Sequence, residues 1–204
     1  MFTYNYRLFD RYGVEVDIHL HEPGTLGAFS VELIAERTKA LGLQGKVTIS
    51  HVFCLGMVEE SYLRQLIDLL LENRITIMSL GSGSSNFPPL KRLHEAGVTL
   101  CTGSDGVRDT WGPFNSVDML DRVKFLGYRC GFRRDEEVEF LMGLVTHSGA
   151  KVMSDGDYGL QVGKRADLVV VPGDTQTEAV INPPLRTFVF KAGQLVAENG
   201  VCLV

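Results

Sequence analysis

Long apolar runs are missing from this 204-residue chain. None approaches the roughly 20 apolar residues of a membrane-spanning helix, and the opening Met-Phe-Thr-Tyr-Asn-Tyr-Arg lacks the charged-then-apolar order of a signal peptide. A cytoplasmic protein without a membrane partner is expected. Basic residues are also scarce: 20 Lys and Arg against 25 Asp and Glu leave a net charge of −5, and Lys164 with Arg165 is too little to build a basic face. That argues against nucleic acid as the main partner, since phosphate binding needs such a face. Four cysteines, Cys54, Cys101, Cys130 and Cys202, are widely spaced. Without paired-ligand spacing they indicate neither a disulfide framework nor a zinc knuckle, so reduced thiols are expected.

What the chain does have is a series of short apolar strands punctuated by glycine. Aromatics crowd the first dozen residues without a helical stripe. Val14 to Leu20 then alternates strictly, with Val14, Val16, Ile18 and Leu20 on one face and Glu15, Asp17 and His19 on the other, as in a strand with one buried face. Gly24 and Gly27 are read as breaks, with Ser30 capping a helix that carries Val31, Ile34, Ala35, Thr38 and Leu41 and ends at Gly42 or Gly45. Val47 to His51 is a second strand, 59 to 73 a helix with Leu63, Leu66, Ile67 and Leu70 on one stripe, and 75 to 80 a third strand. Pro89 opens and Gly97 closes a short helix. A fourth strand begins at Val98, with Leu100 and Cys101 in it, and delivers Asp105 through Gly103.

The strand ends at Leu20, His51, Leu80 and Asp105 lie about 25 to 31 residues apart, the length of a repeated strand-helix unit, which predicts a parallel sheet with right-handed crossovers. Two helical stretches follow Trp111, at 114–128 and 135–147. Beyond them the composition turns β-branched, and 187–191 and 194–198 flank Ala192-Gly193 as a hairpin. The expected domains are a partial (β/α) barrel over 1–154 and a small β-rich segment over 155–204.

His19, His21 with Glu22, His51 and Asp105 all fall at strand ends. Histidines and carboxylates arriving from several parallel strands at one end of a sheet suit a metal site with nitrogen and oxygen ligands. His94 on a short helix and His147 near a helix end read as structural. Gly81-Ser-Gly-Ser-Ser lacks the spacing and the following Lys-Ser/Thr of a phosphate loop, so it reads as a connection.

Taken together, His19-Leu-His-Glu22, Ser50-His51, Gly103-Ser-Asp105 with Trp111, and Gly163-Lys-Arg-Ala-Asp-Leu-Val-Val-Val171 resemble the C-terminal half of the amidohydrolase superfamily, most closely cytosine deaminase and its relatives. The resemblance implies an α/β fold, the C-terminal half (strands 5 to 8) of a (β/α)₈ TIM-type barrel, with a small C-terminal β appendage. It implies one divalent metal ion, zinc or iron. His19, His51 and Asp105 would stand at the metal and Glu22, His51 and Asp105 would be catalytic: His51 holding the attacking water, Asp105 as base, Glu22 shuttling protons to the leaving amine. Trp111 would wall the substrate pocket. The implied reaction is hydrolysis of an exocyclic C–N bond of a nitrogen heterocycle with release of ammonia.

Asp17-Ile-His-Leu-His-Glu also resembles a first-strand His-x-His motif. Only 86 positions separate His19 from Asp105, about three strand-helix units where first to eighth strand needs seven, so His19 is placed on the fifth strand and His21 beside it. With no His-x-His upstream, a truncated chain is expected, associating as a homo-oligomer or with a missing half. A cyclic-amide hydrolase of the dihydroorotase type and a non-catalytic remnant are the alternatives. Cytosine deaminase has a second Asp where this chain has Gly106.

Overall fold

In the computed structural model, residues 12–81 and 86–204 are described. The aromatic opening and most of the Gly81-Ser-Gly-Ser-Ser stretch fall outside them. Two compact units divide between Gly103 and Ser104.

The first unit is a four-stranded parallel sheet, β1 (Val16–Leu20), β2 (Val47–His51), β3 (Thr76–Met78) and β4 (Leu100–Cys101), ordered β1-β2-β3-β4. β1 keeps the alternation read in its sequence, with Val16, Ile18 and Leu20 buried and Asp17 and His19 exposed. All five residues of β2 are buried, as expected of a strand covered on both faces. The helices are α1 (Gly24–Ala40), α2 (Glu60–Glu72) and α3 (Leu90–Ala96). α2 buries Leu63, Leu66, Ile67 and Leu70, the expected stripe, and α3 is flanked by Pro89 and by Gly97, whose φ of 93° closes it.

α1 begins six residues before the expected Ser30 cap. Ser30 is buried inside the helix, and its hydroxyl donates back to Leu26 O at 3.1 Å, the mid-helix use of a serine. Gly27 lies inside the helix rather than breaking the chain, and its lack of a side chain is what lets it pack there, since a Cβ would lie 2.1 Å from Glu22 O.

The second unit holds α4 (Met119–Cys130), α5 (Asp135–Val145), α6 (His147–Val152) and α7 (Gln176–Ile181), with an antiparallel sheet ordered β5-β6-β7-β8: Leu168–Val170, Phe188–Lys191, Gln194–Glu198 and Val201–Cys202. α4 starts at Met119 rather than 114 because Asp118 caps it, accepting from Leu120 N and Asp121 N. Asp167 ties the hairpin down, accepting from Arg165 Nε, Lys191 Nζ and Ala192 N. Among the described residues no helix is long and apolar enough to cross a membrane.

Candidate active site

β1 and β2 bring their histidines together. Their register sets His19 opposite Ser50 and Leu20 opposite His51. The His19 and His51 ring centroids lie 4.8 Å apart, and the His21 ring stands 4.4 Å from His51 and 6.0 Å from His19. Phe53, opening the single-turn helix Phe53–Gly56, stacks on His21 at 5.6 Å.

The backbone turns abruptly here. His51 and Val52 have φ of 73° and 47°, two successive left-handed residues of which the second is β-branched, a conformation seldom tolerated outside functional sites. Val52 N holds the turn by donating to Leu20 O and Ser50 O, both at 3.1 Å. His51 itself is 3% exposed, while His19 and His21 are exposed.

Beside His19, the buried Ser50 hydroxyl donates to Asp17 Oδ1 at 2.9 Å and Oδ2 at 3.1 Å, and Asp17 Oδ1 lies 3.6 Å from His19 Nδ1. Glu22 is exposed, between β1 and α1. Cys54, in the single-turn helix after β2, and Cys101, at the end of β4, are buried. Burial pushes the Cys54 thiol up to about 11 and the Cys101 thiol up to about 12, so neither is a thiolate ligand or nucleophile near neutral pH.

Asp105 follows β4 by four residues and opens the second unit. It is exposed with φ of 54°, a conformation Asp tolerates better than most residues. Its loop is anchored by the buried Arg122, whose Nη2 donates to Asn115 Oδ1 at 3.0 Å and Ser104 O at 3.4 Å. Burial lowers the Arg122 pKa, and the Asp105 charge acts the other way. Asp109 accepts from Trp111 N and Gly112 N, both at 2.9 Å. A Cβ on Gly106 would fall 1.8 Å from Asp109 Oδ2, so any other residue there requires the Asp109 carboxylate to turn aside. Trp111 is 95% exposed.

His94 sits in the last turn of α3. His147 opens α6, its ring edge-on to Tyr158, and neither belongs to the histidine group. Asp17 and Ser50 join this group through contacts that strand parity only half shows: parity puts Asp17 on the His19 face, and the β1–β2 register adds Ser50. Nothing in the sequence marks Arg122, an ordinary helical arginine until its burial is known.

The donor set fits a divalent cation. Two imidazoles on one tetrahedral ion have nitrogens about 3.3 Å apart at bond lengths near 2.0 Å, which a 4.8 Å centroid spacing accommodates. Imidazole with carboxylate suits zinc, iron or manganese.

A parallel α/β sheet gathering imidazoles at the carboxyl ends of neighbouring strands is the construction of barrel-type metal enzymes. The chain belongs to the amidohydrolase family, whose model matches residues 6–197. The family is metal-dependent and its fold is of the TIM-barrel type.

The chain is 30% identical over 197 residues to the N-isopropylammelide isopropyl amidohydrolase of Pseudomonas sp. (strain ADP), covering 96% of this chain and 49% of that protein. A crystal structure of N-isopropylammelide isopropylaminohydrolase from Burkholderia multivorans ATCC 17616 superposes with a TM-score of 0.93 at 42% identity, covering 97% of this chain and 51% of that one. A crystal structure of 5-methylcytosine deaminase from Klebsiella pneumoniae shares the fold, with a TM-score of 0.85 at 24% identity over 97% of this chain and 51% of that one. The chain thus spans about half the length of the relatives it matches.

Proposed function

We propose that this chain carries part of the catalytic site of a metal-dependent hydrolase that cleaves an exocyclic C–N bond on a nitrogen heterocycle. The observation that carries the reading is the pairing of His19 and His51, 4.8 Å apart at the ends of adjacent parallel strands. In this reading β1 to β4 take the places of the fifth to eighth barrel strands, and 155–204 is the small β appendage of a domain otherwise covering 1–154. By resemblance to the family, His19, His51 and Asp105 would hold the metal ion.

A divalent ion in such a site lowers the pKa of water to about 7. His51, held by its left-handed turn, would position that water. Asp105 would take the proton that the water gives up on adding to the ring carbon. Glu22 delivers a proton to the exocyclic nitrogen as the C–N bond breaks, so the amine leaves neutral. Trp111 walls the ring when substrate is bound.

The 42% identity to an enzyme named for N-isopropylammelide, together with the missing side chain at Gly106, favours an N-alkylated ring amine over cytosine. The product is then the alkylamine, or ammonia where the ring amine is unsubstituted. A dihydroorotase-type ring opening is less favoured, since it has no use for a proton shuttle at Glu22.

The test is amine release from N-isopropylammelide and from cytosine by the zinc-loaded chain, with metal content measured on the same samples. Glu22→Gln is expected to retain metal and lose release, and His51→Ala to lose both. Equal turnover by Glu22→Gln would remove the shuttle, and full metal content in His51→Ala would remove the site.

A further inference from the structure

We infer that Asp17 is a positioning residue for His19, locked by Ser50. The inference rests on the reading that His19 is a metal ligand. Asp17 and His19 stand two apart on β1 and share its polar face, while the register brings Ser50 of β2 opposite His19. The Ser50 hydroxyl, on a fully buried residue, donates to both oxygens of the Asp17 carboxylate. This cross-strand bond fixes the carboxylate on the Nδ1 side of His19, at 3.6 Å.

That distance is ion-pair range, longer than a hydrogen bond. A negative charge there favours the tautomer with its proton on Nδ1 and leaves the Nε2 lone pair for a cation. Ligating histidines commonly use a carboxylate partner in this way, and loss of the partner weakens metal binding about 10–100-fold. The bland alternative is that Asp17 only satisfies a buried hydroxyl.

Asp17→Asn separates the two, because the amide oxygen still accepts from Ser50 while the charge is gone. The first readout is the ¹⁵N ring spectrum of His19 in the metal-free full chain, which distinguishes Nδ1–H from Nε2–H. Nδ1–H is expected in the wild type, with a shift toward Nε2–H in Asp17→Asn at unchanged thermal stability. The second is zinc affinity by competition with a chromophoric chelator, expected to fall about 10–100-fold in Asp17→Asn.

An unchanged tautomer and affinity in Asp17→Asn, with binding lost in His19→Ala, overturns the positioning role alone. Wild-type affinity in His19→Ala, or no zinc bound by the wild type, overturns the ligand reading itself, and the ring spectrum then still decides whether Asp17 orients His19.

Discussion

Gly27→Ala is expected to destabilise the protein, against the usual rule for a helix interior. Alanine normally gains about 1 kcal/mol over glycine there. At position 27 the new methyl would lie 2.1 Å from Glu22 O and 2.6 Å from Cys54 Cβ. Neither neighbour is the end of a flexible side chain. Glu22 O belongs to the backbone linking β1 to α1, and Cys54 sits in the turn just after the strained His51–Val52 pair.

Relief needs a backbone shift of more than about 1 Å, and overpacking of that kind costs about 1–3 kcal/mol. With both contacts rigid the upper end applies, and subtracting the helix gain leaves a net loss of about 2 kcal/mol, or a fall in Tm of about 4–8 °C for a chain of this size. Gly143 in α5 provides the internal control. It has nothing within 4 Å and no positive φ, so Gly143→Ala should raise stability by about 1 kcal/mol. Thermal melts of the two variants under one buffer are the assay. A Gly27→Ala protein as stable as the wild type would refute the close-packing account of α1 against the site loop.

Burial raises the Cys54, Cys101 and Cys130 thiols to about 11, 12 and 11, whereas Cys202 is exposed. A disulfide reagent at pH 8 should therefore label one thiol rapidly and the others only in denaturant, and rapid labelling of two or more native thiols would contradict the assigned burial. Asp167 is held well below the usual carboxylate range by Lys191, the Ala192 N–H and Arg165. Its folded pKa being depressed, its stabilisation is complete above the unfolded value near 4 and is lost as pH falls toward the folded one. The Tm gap between the wild type and Asp167→Asn should thus be open at pH 7 and narrow progressively below about pH 4; a gap independent of pH would exclude the charge as its source.

The parallel sheet was legible because its signals are local. Alternation marks β1, punctuation by Pro89 and Gly97 marks α3, and the regular spacing of strand ends marks the repeated unit. The histidines were legible for the same reason, as each stands at the end of its own strand. What escaped was set by tertiary contacts. The early start of α1 depends on Gly27 closing onto Glu22 and Cys54. α7 has only six residues, too few for a periodic stripe, and is stabilised by burying Ala179 and Val180. The Asp17–Ser50 link needs the β1–β2 register, since a slip of one residue would turn Ser50 to the opposite face.

The same register explains why the left-handed turn falls at His51. His51 is the last residue of β2, and its left-handed backbone turns the chain out of the sheet where the imidazole stands beside His19. Two left-handed residues cost about 1–3 kcal/mol each. Complete burial of Val52 offsets about 1.5–3 kcal/mol of that, and its N–H bond to Leu20 O keeps the strained segment paired to β1. The strain and the anchor therefore meet at Val52, which is left-handed and fixed in the core, and His51 beside it takes the other strained conformation. Replacing Val52 with a smaller side chain would remove the compensation while leaving every ligand candidate in the sequence. The position of His51 is thus a property of the packing under it as much as of the histidine itself.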